Sequence, residues 1–122
     1  MLIYCCPDLM FASKIRSTAE SLDIPARPAR NVEMLRKRLD RVEDGGLNDP
    51  VQGVIIDLGL GSAALEMICL AKSHTPAMPV VAYGSHVLVD QLEQARLAGA
   101  DFVMSNGQFA ATLPAVLERL AK

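Results

Sequence analysis

Residues 54–71 read Val-Ile-Ile-Asp-Leu-Gly-Leu-Gly-Ser-Ala-Ala-Leu-Glu-Met-Ile-Cys-Leu-Ala. The opening triplet is β-branched and unbroken, the pattern of a strand covered on both faces. Asp57, Gly59 and Gly61 interrupt it. Ser62 can then cap a helix that carries Leu65, Ile68 and Ala71 on one side. Strand, turn and helix make one βα unit, and similar units lie to either side.

Upstream, Leu2–Cys5 is a brief apolar run, and Asp8 after Pro7 is placed to cap a helix bearing Phe11, Ile15, Ala19 and Leu22. Ile24–Ala29 contains Pro25 and Pro28, so a strand there belongs at a sheet edge, where a missing N–H is tolerated. Asn31 can cap a helix with Val32, Leu35, Leu39 and Val42 on one face, and residues 44–50 read as a loop. Downstream, Pro76 and Pro79 bracket a loop before the buried run Val80–Tyr83. Ser85 is expected to cap a helix ending at Gly99, a residue suited to the left-handed turn past a helix. Phe102–Met104 reads as the last strand. Phe109, Leu113, Val116, Leu117 and Leu120 mark a final helix, in which Pro114 fits only the first turn. Five strands alternating with five helices predict an α/β three-layer sandwich of flavodoxin-like (βα)5 type. Its parallel sheet should run 2-1-3-4-5, with the proline-bearing strand at the edge.

The 122 residues are expected to form one domain, 1–122, with 51% hydrophobic and 21% charged residues enough for a core without disulfides. Aromatics are only 4%, which predicts an aliphatic core and argues against nucleic-acid platforms of stacked rings. A net charge of -2 also argues against a polyanion as the main partner. Three cysteines, two of them adjacent, do not make a disulfide framework. No apolar run is long enough to span a membrane, and Pro7 and Asp8 spoil a signal peptide, so a cytoplasmic location is expected.

Taken in order, several strings resemble the response-regulator receiver domain over nearly the whole chain. Val54-Ile-Ile-Asp57-Leu58 is similar to the family's third strand ending in its phosphoacceptor aspartate. Met78–His86 resembles the fourth strand and following turn, and Ala98-Gly-Ala-Asp-Phe102 the approach to the fifth. The resemblance implies phosphorylation of Asp57 with Mg²⁺ held by two acidic residues after the first strand, yet those positions are Cys5 and Cys6. Thiols are poor Mg²⁺ ligands. The family's hydroxyl residue after the fourth strand falls on Gly84, with Ser85 as a neighbouring substitute. Its lysine falls on Ser105 or Asn106. The resemblance is therefore to a degenerate receiver, a pseudo-receiver, with Phe102 at the aromatic switch position.

Other constellations compete for a role. Gly59-Leu-Gly-Ser-Ala-Ala64 matches a dinucleotide turn, but it follows the third strand and no acidic residue ends the next. Cys5 and Cys6, with Asp8, Asp57 and His86, could make a thiolate metal or redox edge, against which stands their reading as small buried hydrophobes. Neither His74 nor His86 has a nucleophile suitably placed beside it. Arg36, Lys37, Arg38 and Arg41 give the second helix a basic side that solvation explains as well as a partner would.

The favoured reading is a stand-alone pseudo-receiver signalling module, not an enzyme, that needs no cofactor and works by protein contact. Mg²⁺ would enter only if Asp57 is phosphorylated. The resemblance puts the interaction face on the fourth helix, fifth strand and fifth helix, with Leu88, Gln91, Phe102 and Phe109 as contacts and a homodimer as one form. The alternatives are an atypical phosphorelay receiver using Asp57, and a ligand- or metal-binding domain using the Cys5/Cys6 edge.

Overall fold

Strand β3 (Gly53–Asp57) is the middle of five parallel strands. The others are β1 (Leu2–Cys5), β2 (Ala26–Pro28), β4 (Val80–Gly84) and β5 (Phe102–Ser105). They run β2-β1-β3-β4-β5, as expected, with β2 at an edge, where it is shorter than the expected Ile24–Ala29 and holds Pro28 but not Pro25. The computed structural model describes residues 1–42 and 48–122, so residues 44–47 of the expected loop lie outside the described residues.

Two helical layers cover the sheet. On one face α2 (Val32–Leu39), α3 (Ser62–His74) and α4 (Val89–Leu97) close over Ile3, Cys5, Val54, Ile56, Val80 and Ala82. On the other, α1 (Leu9–Ser21), α5 (Asn106–Ala111) and α6 (Leu113–Leu120) close over Leu2, Tyr4, Ile55, Val81 and Tyr83. Strand side chains alternate between faces, so a strand buried on both sides must be apolar throughout. That requirement makes these strands visible in the sequence.

Helix ends follow the capping rules at Asp8, whose Oδ1 accepts from Met10 N (2.9 Å) and Phe11 N (3.2 Å). Asn31 likewise accepts from Met34 N (2.7 Å), and Gly99 takes a φ of 112° past α4. Four local expectations are corrected. Gly61, at φ 68°, occupies the cap position of α3, which makes Ser62 the first helical residue. Ser85 does not cap α4. Its Oγ faces Val87 N at 3.4 Å and its carbonyl accepts from Leu88 N, closing a turn that delays the helix to Val89. Helix α2 stops at Leu39, before Arg41 adopts φ 62°, and leaves Val42 exposed. The final helix is divided at Thr112, and Pro114 sits in the first turn of α6.

The core is also not purely aliphatic. Of the chain's three Phe and two Tyr, Phe11, Tyr83 and Phe109 form one stack. The Tyr83 and Phe109 rings are 4.1 Å apart and 3° from parallel. Pairs of this kind add about 1 kcal/mol beyond the area they bury.

Candidate functional site at the exit of the central strand

Register assembles the site. Cys5 pairs with Ile56, which brings the next residues, Cys6 and Asp57, level with each other. Asp57 pairs in turn with Tyr83. Neighbours in register point to the same face. Cys6, Asp57 and Tyr83 therefore meet on the α1/α5/α6 face, while Cys5 and Leu58 pack into the opposite layer.

Asp57 Oδ1 accepts from Gly59 N at 2.8 Å, closing the short 3-10 turn Leu58–Leu60. Its Oδ2 lies 3.6 Å from Cys6 Sγ, whose other acceptor is the Asp8 carbonyl at 3.4 Å. The Tyr83 hydroxyl donates to Cys6 Sγ at 3.0 Å. Burial is the largest influence on Cys6 and pushes the thiol up, with the Tyr83 hydrogen bond pulling the other way. Burial, and then the hydrogen bond to Cys6, also hold the Tyr83 hydroxyl above its ordinary range. Cys5, fully buried, is pushed up to about 12, chiefly by desolvation and then by Cys6. An unreactive small hydrophobe is the result.

The donor set of one carboxylate, one thiol and one phenol does not fit Mg²⁺, a hard cation that takes oxygen ligands. Cys5 points away and Asp8 spends one oxygen on the α1 cap. Among the described residues no three His, Cys, Asp or Glu side chains gather to hold a metal. His86 is exposed in the turn after β4, and His74 bonds Asp40 at 2.9 Å at the far ends of α2 and α3. Neither joins Cys6.

At Gly84 a side chain would crowd Leu58. A Cβ there would lie 3.0 Å from Leu58 Cβ and 3.2 Å from its Cδ1. Ser105 caps α5, accepting from Gln108 N at 3.1 Å. Asp101 of the Gly-Ala-Asp string is structural: it takes Lys72 Nζ at 3.0 Å and Val80 N at 2.8 Å. The glycine-rich turn is closed on itself, since Gly59 N bonds Asp57 and Gly61 N donates to Leu58 O. Neither N–H is left for a pyrophosphate.

The expected interaction residues divide. Leu88 is 47% exposed and Gln91 half-buried, whereas Phe109 is 0% exposed, stacked beneath Tyr83, and so corrects the expectation of a contact residue. Phe102 is half-buried under the Arg119 guanidinium, 4.6 Å from its ring centre. With Met104, Gln108, Val116 and Leu120 it lines a groove of about 220 Å³ between β5 and α6. Arg36, Lys37 and Arg41 stand exposed on and just past α2, far from Asp57 in the sheet order. Tyr83 and Leu58 escape a reading of the sequence alone. The usable signal was parity: a hydroxyl two residues past Val81 in a strand paired with Asp57.

Five parallel strands ordered 2-1-3-4-5 between two helical layers have the fold of response-regulator receiver domains. The receiver domain of NtrX from Brucella abortus superposes with a TM-score of 0.79 at 18% identity, covering 99% of this chain and 98% of that one. A response regulator from Thermotoga maritima gives 0.78 at 15%, covering 98% and 95%. The receiver domain of a Pseudomonas aeruginosa sensor histidine kinase, which has a magnesium ion in its active-site cleft, gives 0.78 at 13%, covering 98% and 95%. By sequence the chain matches no protein-family model and no curated protein. The likeness is therefore one of fold. No helix among the described residues is long and apolar enough to cross a membrane.

Proposed function

We propose that this chain is a response-regulator-like signalling module that works by protein–protein contact, with its phosphorylation machinery largely lost. The observation that carries the reading is Leu58 packed against Gly84, where a hydroxyl side chain would have to stand. Phosphoryl transfer onto Asp57 would also need cations to neutralise charge on the transferred group. Cys6 offers a thiol in place of a metal ligand, and Ser105 offers a helix cap in place of a lysine. Loss of such electrostatic clamps costs orders of magnitude in rate. Contact with a partner protein or a second copy would use α4, β5 and α6, where Leu88 and the Phe102 groove are accessible. The test is a backbone NMR titration with Mg²⁺ and beryllofluoride, a stable mimic of the phosphoryl group. A silent spectrum is expected. Shifts centred on Asp57 and spreading to Gly84 and Phe102 would instead make it a working phosphorelay receiver.

A further inference from the structure

Five of the seven large hydrophobic residues that are exposed among the described residues lie at one end of the sheet. Leu9 (84%) and Met10 (85%) follow β1, and Val87 (70%), Leu88 (47%) and Val89 (66%) follow β4. Strands β1 and β4 flank β3, so these two apolar groups stand on either side of the turn that carries Asp57. Each group is a run of adjacent apolar side chains left in water, and apolar surface of that kind marks a contact site.

The charge of this rim narrows the occupant. Segments 6–10, 57–62, 84–90 and 105–108 contain Asp8, Asp57 and Asp90 and not one Lys or Arg. The described loops at that end hold a single cation, Arg30, after the edge strand β2. Asp57 has no ion-pair partner among the described residues, and the groups that meet its side chain are neutral, the Cys6 thiol at 3.6 Å and the Tyr83 hydroxyl. By contrast Asp101, at the other end of the sheet, is held by Lys72 at 3.0 Å. An acidic apolar rim disfavours anionic membranes and nucleic acids and suits a cationic apolar protein segment.

We infer that the rim formed by Leu9, Met10, Val87, Leu88 and Val89 around Asp57 docks a segment of a partner protein that presents apolar side chains about a lysine or arginine, whose cation pairs with Asp57. The site names the partner chemistry for the contact reading above and rests on that reading, because phosphorylation would claim the same carboxylate.

The test is selection of random displayed peptides on the immobilised full chain at physiological ionic strength, followed by synthesis of the enriched peptides. Enriched sequences should combine Leu, Ile, Phe or Met with Lys or Arg. Their NMR footprints should fall on Leu9, Met10, Asp57 and Val87–Val89. Affinity should drop by roughly tenfold or more with Asp57→Asn, and similarly with the pair Leu9→Ser and Met10→Ser, on the scale of a truncated interface anchor. Arg36→Glu should leave it unchanged. These substitutions alter surface or half-buried groups, and unchanged circular dichroism would verify the fold. Failure to enrich any peptide, enriched peptides without a basic residue, or footprints on the Phe102 groove would each overturn the inference. Footprints on the groove would leave the contact reading standing, whereas a beryllofluoride response would remove that reading itself.

Discussion

Three neighbouring pairs in the chain, Cys5 and Cys6, Asp57 and Leu58, Tyr83 and Gly84, each divide across the sheet at its exit end. The members on one face form a polar chain, from the Tyr83 hydroxyl to the Cys6 sulfur and on to the Asp57 carboxylate, laid over stacked rings. Those on the other face are dry and tightly packed, with Cys5 at 0% exposure and Leu58 filling the space beside Gly84. One face keeps a carboxylate that can meet a partner. On the other, a side chain at position 84 could enter only if Leu58 gave way. Sheet alternation separates two environments that adjacent letters would merge.

Gly84→Thr should break this comparison with the largest effect. Its Cβ would meet the root of the Leu58 side chain, Cβ, at 3.0 Å and its Cδ1 methyl at 3.2 Å, and the root cannot swing away as the methyl can. Overpacking of this kind costs about 2 kcal/mol, measurable as a lower urea midpoint at unchanged slope. Leu58→Ala in the same chain should recover part of that loss, giving a clear coupling energy in a double-mutant cycle. Additive effects would mean that Leu58 does not fill the missing hydroxyl's place.

A smaller change on the polar face is expected from Tyr83→Phe. The ring stays in its stack with Phe109, and only the hydroxyl donated to Cys6 is lost, worth about 1 kcal/mol. The sign on Cys6 follows from the opposing influences there. Burial raises the thiol and the Tyr83 hydrogen bond lowers it, so removing the hydroxyl should push the thiol higher. Iodoacetamide labelling of Cys6 across pH, with exposed Cys69 replaced by Ser, should show the profile displaced to higher pH. An unmoved profile would detach Tyr83 from the network.

The fold was legible because parallel strands covered on both faces must be apolar throughout, and Pro25 and Pro28 could only belong to an edge. Asp57 stood out through the resemblance, and its place at the end of the third strand is where that resemblance put it. Tyr83 was not legible, since a tyrosine inside a buried strand reads as core until register places Asp57 beside it. For Phe109 the helical spacing already pointed inward, with Leu113, Val116, Leu117 and Leu120 on the same buried side, and only the resemblance put it on a contact face. At Gly84 the resemblance implies only a missing hydroxyl. That Leu58 closes the space depends on two side chains 26 positions apart in the chain.

Asp57→Asn should have the least effect on stability and the most informative pattern. The amide oxygen of Asn can still accept from Gly59 N, as Oδ1 does at 2.8 Å, and its NH₂ can donate toward the Cys6 sulfur. No ion pair is lost, because Asp57 has none among the described residues, so the unfolding free energy should change by less than about 0.5 kcal/mol, read from a nearly unmoved urea midpoint. A carboxylate kept only to cap its turn would then show nothing further, since Asn caps as well as Asp. If its negative charge is what a partner reads, the same variant should fold normally and lose affinity for basic apolar peptides. Stability and binding therefore separate at one atom: a large stability loss would make Asp57 structural, and intact peptide binding would leave its charge unused.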